Sequence, residues 1–269
     1  MPGKSRLARW CIHHALQGRE ADISTQGLTF RVPSTYEPVA MGLIADGQYE
    51  TGLCRALSSL LHVDSVFFDV GANIGVFSLF SAQQWCPKGR VLGFEASPLI
   101  FSYLQHNTQL HQLPALQVLN RAVTEHSGDH LTFYDAPIAK FGMGSLENRF
   151  GTKGMAIQTI SLDDAAAENN IARVDVIKVD VEGFELGVFK GATRLLSKTP
   201  APVIFFEFND WAEERGGTHA GDAQRYLHSL GYVTVPLDSW LQGDRNPHNP
   251  VVSGGTDLVA FKITSNPPT

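Results

Sequence analysis

One ten-residue stretch, VFFDVGANIG at residues 66–75, constrains the fold of this chain more than any other. Its first three residues are apolar and predict a buried strand, while Gly71 and Gly75 predict a tight turn. The segment FSLFSAQQW that follows has the pattern of a helix. A strand, a glycine turn and a helix N-terminus together form a ligand cradle in α/β proteins. The sequence therefore predicts a ligand site at this turn.

The sequence beyond this stretch alternates apolar strands with helical segments, which is typical of a parallel sheet covered by helices on both faces. Ser97 and Pro98 mark one helix start, as a capping residue and a first-turn proline. Two late apolar stretches, 232–235 and 258–263, predict an antiparallel edge pair with only a loop between them. The predicted strands are 66–70, 90–94, 116–120, 174–180 and 202–208, and the predicted helices are 75–85, 98–110, 184–196 and 221–230.

Two regions depart from this alternation. Residues 129–160 contain HLTFY, a glycine-rich FGMGSL and MAIQTI, which predict a β-insertion between the third and fourth main strands. Residues 1–64 predict a helix near 5–17, a short strand LTFRV and a helical run near 50–61. We therefore divide the chain into an N-terminal cap, 1–64, and a main domain, 65–269.

Composition excludes several classes of function. The net charge of −6 and the pI near 5.9 give no electrostatic footprint for nucleic acid or an anionic membrane. The three cysteines, Cys11, Cys54 and Cys86, lack the spacing of a zinc site or a disulfide framework. No apolar run approaches the roughly 18 residues that span a bilayer. We expect a small-molecule partner and a cytoplasmic location, and the oligomeric state stays open.

The glycine turn does not match the motifs that hold phosphates. A dinucleotide fingerprint needs glycine where this chain has Asn73 and Val76. A P-loop needs lysine and a hydroxyl residue where Val76 and Phe77 follow Gly75. Glu95 ends the strand VLGFE, and a carboxylate there accepts hydrogen bonds from ribose hydroxyls. A ligand with a ribose but no pyrophosphate fits both observations, and S-adenosylmethionine is such a ligand.

Asp69 then has a role, because a carboxylate beside the turn offsets the positive charge of that cofactor. The alternative is that Asp69 caps the turn and Glu95 lies in solvent.

Six segments resemble the FkbM family of S-adenosylmethionine-dependent methyltransferases. They are VFFDVGANIGVFSLFSA, VLGFEASPLIFSYLQHN, VLNRAVTEHSGDHLTFY, TISLDD, VDVIKVDVEGFELGVFKGATRLL and IFFEFN, and the resemblance covers residues 47–210. It implies a class I methyltransferase fold: a seven-stranded, mostly parallel, Rossmann-like sheet whose last strand is antiparallel. It also implies methyl transfer to a hydroxyl of a small molecule, sugar or secondary metabolite, with S-adenosylhomocysteine as product.

The resemblance also implies a set of cofactor-binding residues. The FEPxP motif of the family is replaced here by FEASP, which keeps the acid but loses a proline. Tyr49 and Glu50 match a GxYE segment and are placed near the methionine end of the cofactor. Asn120 and Arg121 precede Ala122 where the adenine edge is usually held. The implied cofactor residues are Asp69, Gly71, Asn73, Gly75, Glu95, Ala122, Ser145, Glu50 and Tyr49.

Acidic residues follow the fourth and fifth strands of the main sheet, at the edge where ligands react in open α/β sheets. Alternation places Lys178, Asp180 and Glu182 on one side if the segment stays extended, and Glu207, with Asn209, ends the next strand. Asp180 or Glu182 can serve as a general base for methyl transfer. Alternatively, Asp180, Glu182 and Glu207 gather a divalent cation such as Mg²⁺, which we do not favour. The simplest alternative is that Asp180 caps helix 184–196 and Glu207 satisfies a backbone group.

Other assignments remain open. His219 and His248 lie in loops that can reach the same edge as a base. Tyr49, Trp211 and Trp240 can line an acceptor pocket. A non-catalytic S-adenosylmethionine-binding protein is a second reading of the chain, and a nucleotide-cofactor oxidoreductase is a third. We expect the acceptor to be a hydroxyl-bearing small molecule or glycan rather than a nucleic acid or a membrane.

Overall fold

The computed structural model describes residues 18–263, and the predicted helix near 5–17 lies outside them. The described chain starts with a hairpin of strands β1 (Ala21–Thr25) and β2 (Leu28–Val32), of which only the second was predicted. Helices α1 (Pro38–Asp46) and α2 (Thr51–Leu60) follow. Helix α1 begins where the Glu37 carboxylate accepts the N–H of Val39 at 2.7 Å, with a proline in the first turn.

The first half of the main domain follows the predicted alternation. Ser97 caps α4 by accepting the N–H of Ile100 at 3.0 Å, as the Ser-Pro pair predicts. The second half of predicted helix 75–85 is a π-helical turn at Ser81–Trp85. The elements are β3 (Val66–Val70), α3 (Val76–Phe80), β4 (Arg90–Phe94), α4 (Pro98–His111) and β5 (Leu116–Leu119).

The β-insertion is confirmed as a three-stranded sheet separate from the main one. Its strands are β6 (Ala122–Val123), β7 (His130–Tyr134) and β8 (Gly154–Ile160), in the order β6-β8-β7. A 3₁₀ segment, Ile138–Met143, lies between β7 and β8.

In the second half of the main domain, the structure differs from the sequence prediction at a helix and at a loop. Predicted helix 184–196 is broken at Gly191, whose carbonyl accepts the N–H of Asp163 instead of a helical partner. A short helix, not only a loop, connects the last two strands. The elements are α5 (Leu162–Glu168), β9 (Val176–Val179), α6 (Glu185–Lys190), α7 (Thr193–Leu196), β10 (Val203–Asn209), α8 (Asp210–Arg215), α9 (Asp222–Ser229), β11 (Val233–Pro236), α10 (Leu237–Leu241) and β12 (Gly255–Phe261).

The main sheet has seven strands in the order β11-β12-β10-β9-β3-β4-β5. Strand β12 runs antiparallel to both neighbours, and the other pairs are parallel. The predicted seven-stranded sheet with an antiparallel last strand is therefore confirmed. Two buried apolar clusters cover its faces, with Phe68 in one and Phe67 in the other. The carboxyl ends of β3, β4, β9 and β10 consequently meet at one edge.

The N-terminal part packs onto this domain. Phe30 and Leu43 share a buried cluster with Ile74, Phe80 and Leu104 of the turn and its helices. The division at residue 65 stays a prediction. Within residues 18–263, no helix combines the length and the apolarity needed to cross a membrane.

Candidate active site

The glycine turn after β3 uses all of its own backbone donors. The N–H groups of residues 71 and 72 donate to the Phe94 carbonyl at 2.9 and 2.8 Å. The N–H of Asn73 donates to the Glu95 carboxylate at 2.9 Å, and the next N–H donates to the Asn73 side chain. The N–H of Gly75 donates to the carbonyl of residue 72. Residues 71–75 therefore keep no backbone donor for a phosphate, which agrees with the failed nucleotide motifs.

Glu95 is buried at the end of β4, and the alternative that it lies in solvent is wrong. Its second oxygen accepts the N–H of Ser97 at 2.8 Å, so the carboxylate joins two turns. Asn120 donates to the Glu95 and Ala96 carbonyls and holds the same segment from the other side. Burial raises the pKa of Glu95 to about 7, against the lowering effect of the two N–H groups. A carboxylate has about four acceptor positions, so Glu95 can accept further bonds.

A cavity of about 680 Å³, here named the Glu95 cavity, opens beside this carboxylate. Apolar side chains form most of its walls, and of the predicted set it contains Gly71, Asn73, Glu95 and Ala122. Asn120 is absent from its lining. Other lining residues are Phe94, Ile100, Arg121, Phe133, Phe141 and Leu146.

Ser145 lies beside this cavity rather than in its wall. It is buried, its backbone pairs with Tyr134, and its hydroxyl accepts the N–H of Glu147 at 3.3 Å. The neighbouring residues Gly144 and Leu146 are the ones that line the cavity. The predicted cofactor contact of Ser145 stays a prediction.

Asp69 lies behind the turn and is fully buried, outside the lining of both the Glu95 cavity and its neighbour. Strand register places it beside Lys178, whose Nζ is 3.7 Å from Asp69 Oδ1. Ser78 donates its hydroxyl to the other Asp69 oxygen at 2.6 Å. The Lys178 ammonium also donates to the Gly71 carbonyl at 3.0 Å. Asp69 is thus linked to the turn by the Lys178 ammonium, and to helix α3 by the Ser78 hydroxyl.

A second cavity of about 980 Å³, the Glu207 cavity, adjoins the first and shares Gly71, Asn73, Gly142, Asp180 and Glu182 with it. Its described lining contributes one lysine, Lys178, against a group of carboxylates. Tyr49 also lies in this wall, and its approach to the methionine end of the cofactor stays a prediction. The carboxylates are those of Glu37, Glu50, Asp180, Glu182, Glu207 and Asp257.

Sequence reasoning missed Glu37 and Asp257. Glu37 precedes Pro38, a pair that signals a helix start rather than a site, and its cap bond points the carboxylate toward Gly142. Asp257 is paired with Glu207 by the register of β10 and β12. Burial raises the pKa of Glu37 and of Glu50 to about 7. Glu50 itself has φ +47°, a left-handed conformation that directs the chain into α2.

Asp180, Glu182 and Glu207 come together, with one oxygen of each within 4.8 Å of the others. The extended geometry assumed after β9 is wrong, because Glu182 has φ +57° and Gly183 has φ +100°. The Asp180 carboxylate pairs with Lys178 at 3.3 Å, and Glu182 pairs with Arg149 at 2.6 Å. This spacing also suits a divalent cation, which stays the alternative that the sequence did not favour.

The structural alternatives for these acids do not hold. Glu185, not Asp180, accepts the N–H groups of Val181 and Gly183 ahead of α6. Glu207 lies in β10 two residues before the strand ends, half-buried in the cavity wall, and among the described contacts its carboxylate bonds no backbone group and pairs with no cation. Burial, followed by the charges of Asp180 and Glu182, raises the pKa of Glu207 to about 8.

The histidines and tryptophans fall elsewhere. The His219 N–H binds Asp222, and the His248 ring binds Asp244 at 2.7 Å; neither residue lines the two cavities. Trp240 is buried edge-on against Phe205 in the core. Trp211 is 41% exposed and lies outside both linings. Tyr49 is the predicted aromatic residue that reaches the Glu207 cavity.

The residues present fit S-adenosylmethionine. The Glu95 cavity offers apolar walls and a buried acceptor for a nucleoside, and the turn offers no phosphate donors. The joined, acid-lined Glu207 cavity suits a cationic group. A seven-stranded sheet in this order, with a ligand turn after β3, defines a class I methyltransferase fold.

The comparisons with known proteins identify the family. The methyltransferase FkbM domain model matches residues 69–234, more than half of the chain. This chain belongs to the FkbM methyltransferase family, and family and fold together imply S-adenosylmethionine as the methyl donor.

Among its relatives is the hexuronic acid methyltransferase AglP of Haloferax volcanii, 33% identical over 68% of this chain and 72% of that protein. Another is the 31-O-demethyl-FK506 methyltransferase FkbM of Streptomyces tacrolimicus, 32% identical over 49% of this chain and 60% of that protein. The solved METTL16 methyltransferase domain is 11% identical with a TM-score of 0.51, covers 96% of this chain and 78% of that one, and shows the shared fold.

Proposed function

We propose that this chain is an O-methyltransferase that methylates a hydroxyl group of a neutral or amine-bearing small molecule or glycan. The observation that carries the proposal is the junction of the two cavities, where Asp180 and Glu182 belong to both walls and Glu207 faces them. A nucleoside in one cavity and an acceptor in the other would meet at this junction.

The Glu95 cavity would hold the adenosine part of the cofactor. Glu95 is placed to accept hydrogen bonds from the ribose hydroxyls, and Arg121 and Ala122 would lie along the base. Tyr49 and Glu50 would face the methionine end in the Glu207 cavity. Asp69 would act from behind the turn, by holding Lys178 against the Gly71 carbonyl. When bound, S-adenosylmethionine supplies the methyl group and leaves as S-adenosylhomocysteine.

Glu207 is the residue that we assign as general base, the group that accepts the proton of the acceptor hydroxyl. Asp180 and Glu182 are each paired with a cation, whereas Glu207 faces other carboxylates. A carboxylate in that setting has a raised pKa, so its ionised form is a stronger base than an ordinary carboxylate. As the acceptor oxygen takes the methyl group from the cofactor's sulfur, whose bond to that carbon breaks, Glu207 would accept the proton that the oxygen loses. Asp180 and Glu182 would orient the acceptor by accepting hydrogen bonds.

The charge of the Glu207 cavity supports the acceptor class. Six carboxylates against one lysine disfavour an anionic acceptor and favour a polyol or an amino alcohol. The relative AglP is named for a hexuronic acid, so methylation of a uronic acid is the second candidate. The cavity charge argues against it in this chain.

A matched acceptor panel tests these readings. A methyl hexoside, the corresponding hexosamine and the corresponding hexuronic acid differ at one group, and methyl transfer from labelled S-adenosylmethionine is measured for each. Transfer to the first two, at oxygen, supports the proposal. Transfer confined to the hexuronic acid, or to amine nitrogen, would overturn it.

Calorimetric titration separates the remaining alternatives. We expect S-adenosylhomocysteine to bind and NADH to give no heat, with the same result in Mg²⁺ and in a chelator. Binding without turnover on any acceptor would favour a non-catalytic cofactor-binding protein, and heat with NADH alone would favour an oxidoreductase. The cytoplasmic location stays a prediction.

A further inference from the structure

Arg149 connects the β-insertion to the carboxylate cluster. Its side chain is 4% exposed and lies in the segment between β7 and β8. Nη1 donates to the Glu182 carboxylate and Nη2 donates to the Glu182 carbonyl, each at 2.6 Å. One guanidinium therefore binds the main chain and the side chain of a single residue.

A second contact fixes the guanidinium itself. The ring of Trp211, on α8, lies 4.8 Å from the Arg149 guanidinium carbon, in cation–π geometry. Arg215 approaches the same ring at 5.7 Å, yet makes no described contact with Glu182. The planar group is thus held by its bonds to Glu182 and by an aromatic face, which suits arginine and not lysine.

Glu182 needs such a partner. Its φ of +57° is a conformation that non-glycine residues seldom adopt, and it is retained only where neighbouring groups enforce it. Its carboxylate also lies within 4.8 Å of the Asp180 and Glu207 carboxylates, so like charges push it away from the junction. The Arg149 guanidinium, bonded to both the carboxylate and the carbonyl of Glu182, offsets part of that repulsion and fixes the residue in place.

We propose that Arg149 is the positioning residue for Glu182, holding its carboxylate at the junction of the two cavities. Arg149 itself lines neither cavity and acts through Glu182. The inference rests on the proposed function for its catalytic consequence, while the structural part stands on the contacts alone. The β-insertion thereby orders an acid of the catalytic edge, in addition to lining the cavities with residues such as Gly142 and Leu146.

Variants at position 149 test the proposal against a matched control. We expect R149M to lower kcat by about 10- to 100-fold, the effect of misplacing a reacting group by about 1 Å. The KM for cofactor and the affinity for S-adenosylhomocysteine should hardly change. R149K should recover part of kcat, because lysine offers charge without the two-pronged bond. R215M removes a cation from the same tryptophan and should keep full activity.

A double variant shows whether Arg149 acts through Glu182. If it does, R149M should cost little more in an E182A background than E182A alone, since the shared target is gone. Losses in kcat that add in the double variant would overturn the proposal. So would an R149M enzyme with wild-type kcat.

Hydrogen exchange tests the structural part without any acceptor. The N–H groups of Val181 and Gly183 are bonded to Glu185, so they report the order of this turn. R149M should accelerate their exchange, and R215M should not. Equal exchange in both variants would overturn the positioning role. Faster exchange in R149M, in a protein that methylates none of the panel, would support it while the proposed function failed.

Discussion

Gly71 and Asp180 are in direct contact: a Cβ atom on Gly71 would lie 1.8 Å from the Asp180 carbonyl oxygen. The contact exists because β3 and β9 are parallel neighbours, and the Asp180 N–H donates to the Val70 carbonyl at 3.0 Å. The ligand turn and the acidic edge are therefore packed directly against each other through their backbones.

The first prediction concerns this contact. Gly71→Ala should cost more than about 3 kcal/mol of stability, because the methyl group must displace backbone and φ is +73°. Gly151→Ala is the control, since Gly151 has φ +66° and open space around it. It should cost only about 1 kcal/mol, the conformational part. Thermal unfolding of both variants measures the difference, and equal losses would contradict the contact.

The second prediction concerns Glu95. Glu95→Gln leaves an amide that cannot accept both N–H groups, so the turn loosens and a ribose acceptor is lost. Affinity for S-adenosylhomocysteine should fall by about 1.5–3 kcal/mol, the range for a hydrogen bond to a charged group. Calorimetric titration measures this, with the exposed Glu168→Gln as control. Unchanged affinity would remove the ribose assignment.

The third prediction concerns Lys178. Burial lowers the pKa of this ammonium, but Asp180 and Asp69 outweigh it and raise the pKa above the ordinary value. Lys178→Met leaves Asp69 buried without its cation, and it should destabilise the protein by about 3–5 kcal/mol. Adding Asp69→Asn should recover a large part of that loss. Denaturant unfolding of the single and double variants measures the free energy of unfolding of each. Additive losses of that free energy would show that Lys178 and Asp69 are not coupled.

The fourth prediction concerns the proton acceptor. Glu207 must be ionised to accept a proton, so turnover should rise with pH through about 8. Glu207→Gln should remove that limb and lower kcat by about 10²–10⁴-fold. Exposed Glu214→Gln, on the neighbouring α8, is the control. A Glu207→Gln enzyme with the wild-type pH profile would transfer the role to another group.

The fifth prediction concerns stability and pH. Carboxyl groups such as Glu37, Glu50 and Glu207 have folded-state pKa values raised from 4.5 to about 7 or 8. The folded state then binds more protons than the unfolded state, so this stability is present below pH 4.5 and is lost as pH rises through 7 to 8. The ligand-free protein should melt lower at pH 8.5 than at pH 6. Glu207→Gln should raise the melting temperature at pH 8.5 by about 2–4 °C, the shift for about 1 kcal/mol.

Local pattern predicted most of the fold. The strands at 66–70 and 90–94 are found as predicted, because each is a short apolar run bounded by turn residues. The break at Gly191 was not predictable, since it depends on an N–H from Asp163, which is distant in sequence. The strand at residues 21–25 was missed because ADIST has a single large apolar residue, Ile23, and the strand depends on its pairing with β2.

The sequence predicted those residues of the candidate site that lie near the carboxyl ends of the main-sheet strands. Asp180, Glu182 and Glu207 follow strands that are neighbours in the sheet, so the edge rule placed them together. Glu37 and Arg149 come from segments whose docking no local pattern specifies. Lys178, the partner of Asp180, was placed beside the acids by strand alternation, whereas Arg149, the partner of Glu182, was invisible in the sequence, and so was the asymmetry that singles out Glu207.

The register of β10 and β12 has one more consequence. Strand β12 brings Asp257 opposite Glu207, while Glu37 reaches the same cavity from the other end of the described chain. The Glu207 cavity is therefore a product of long-range chain closure, which is slow compared with the formation of local structure. During refolding, the Glu95 turn, whose residues are close in sequence, can order early. The capacity to discriminate among acceptors should return last, when the final strand inserts between β10 and β11.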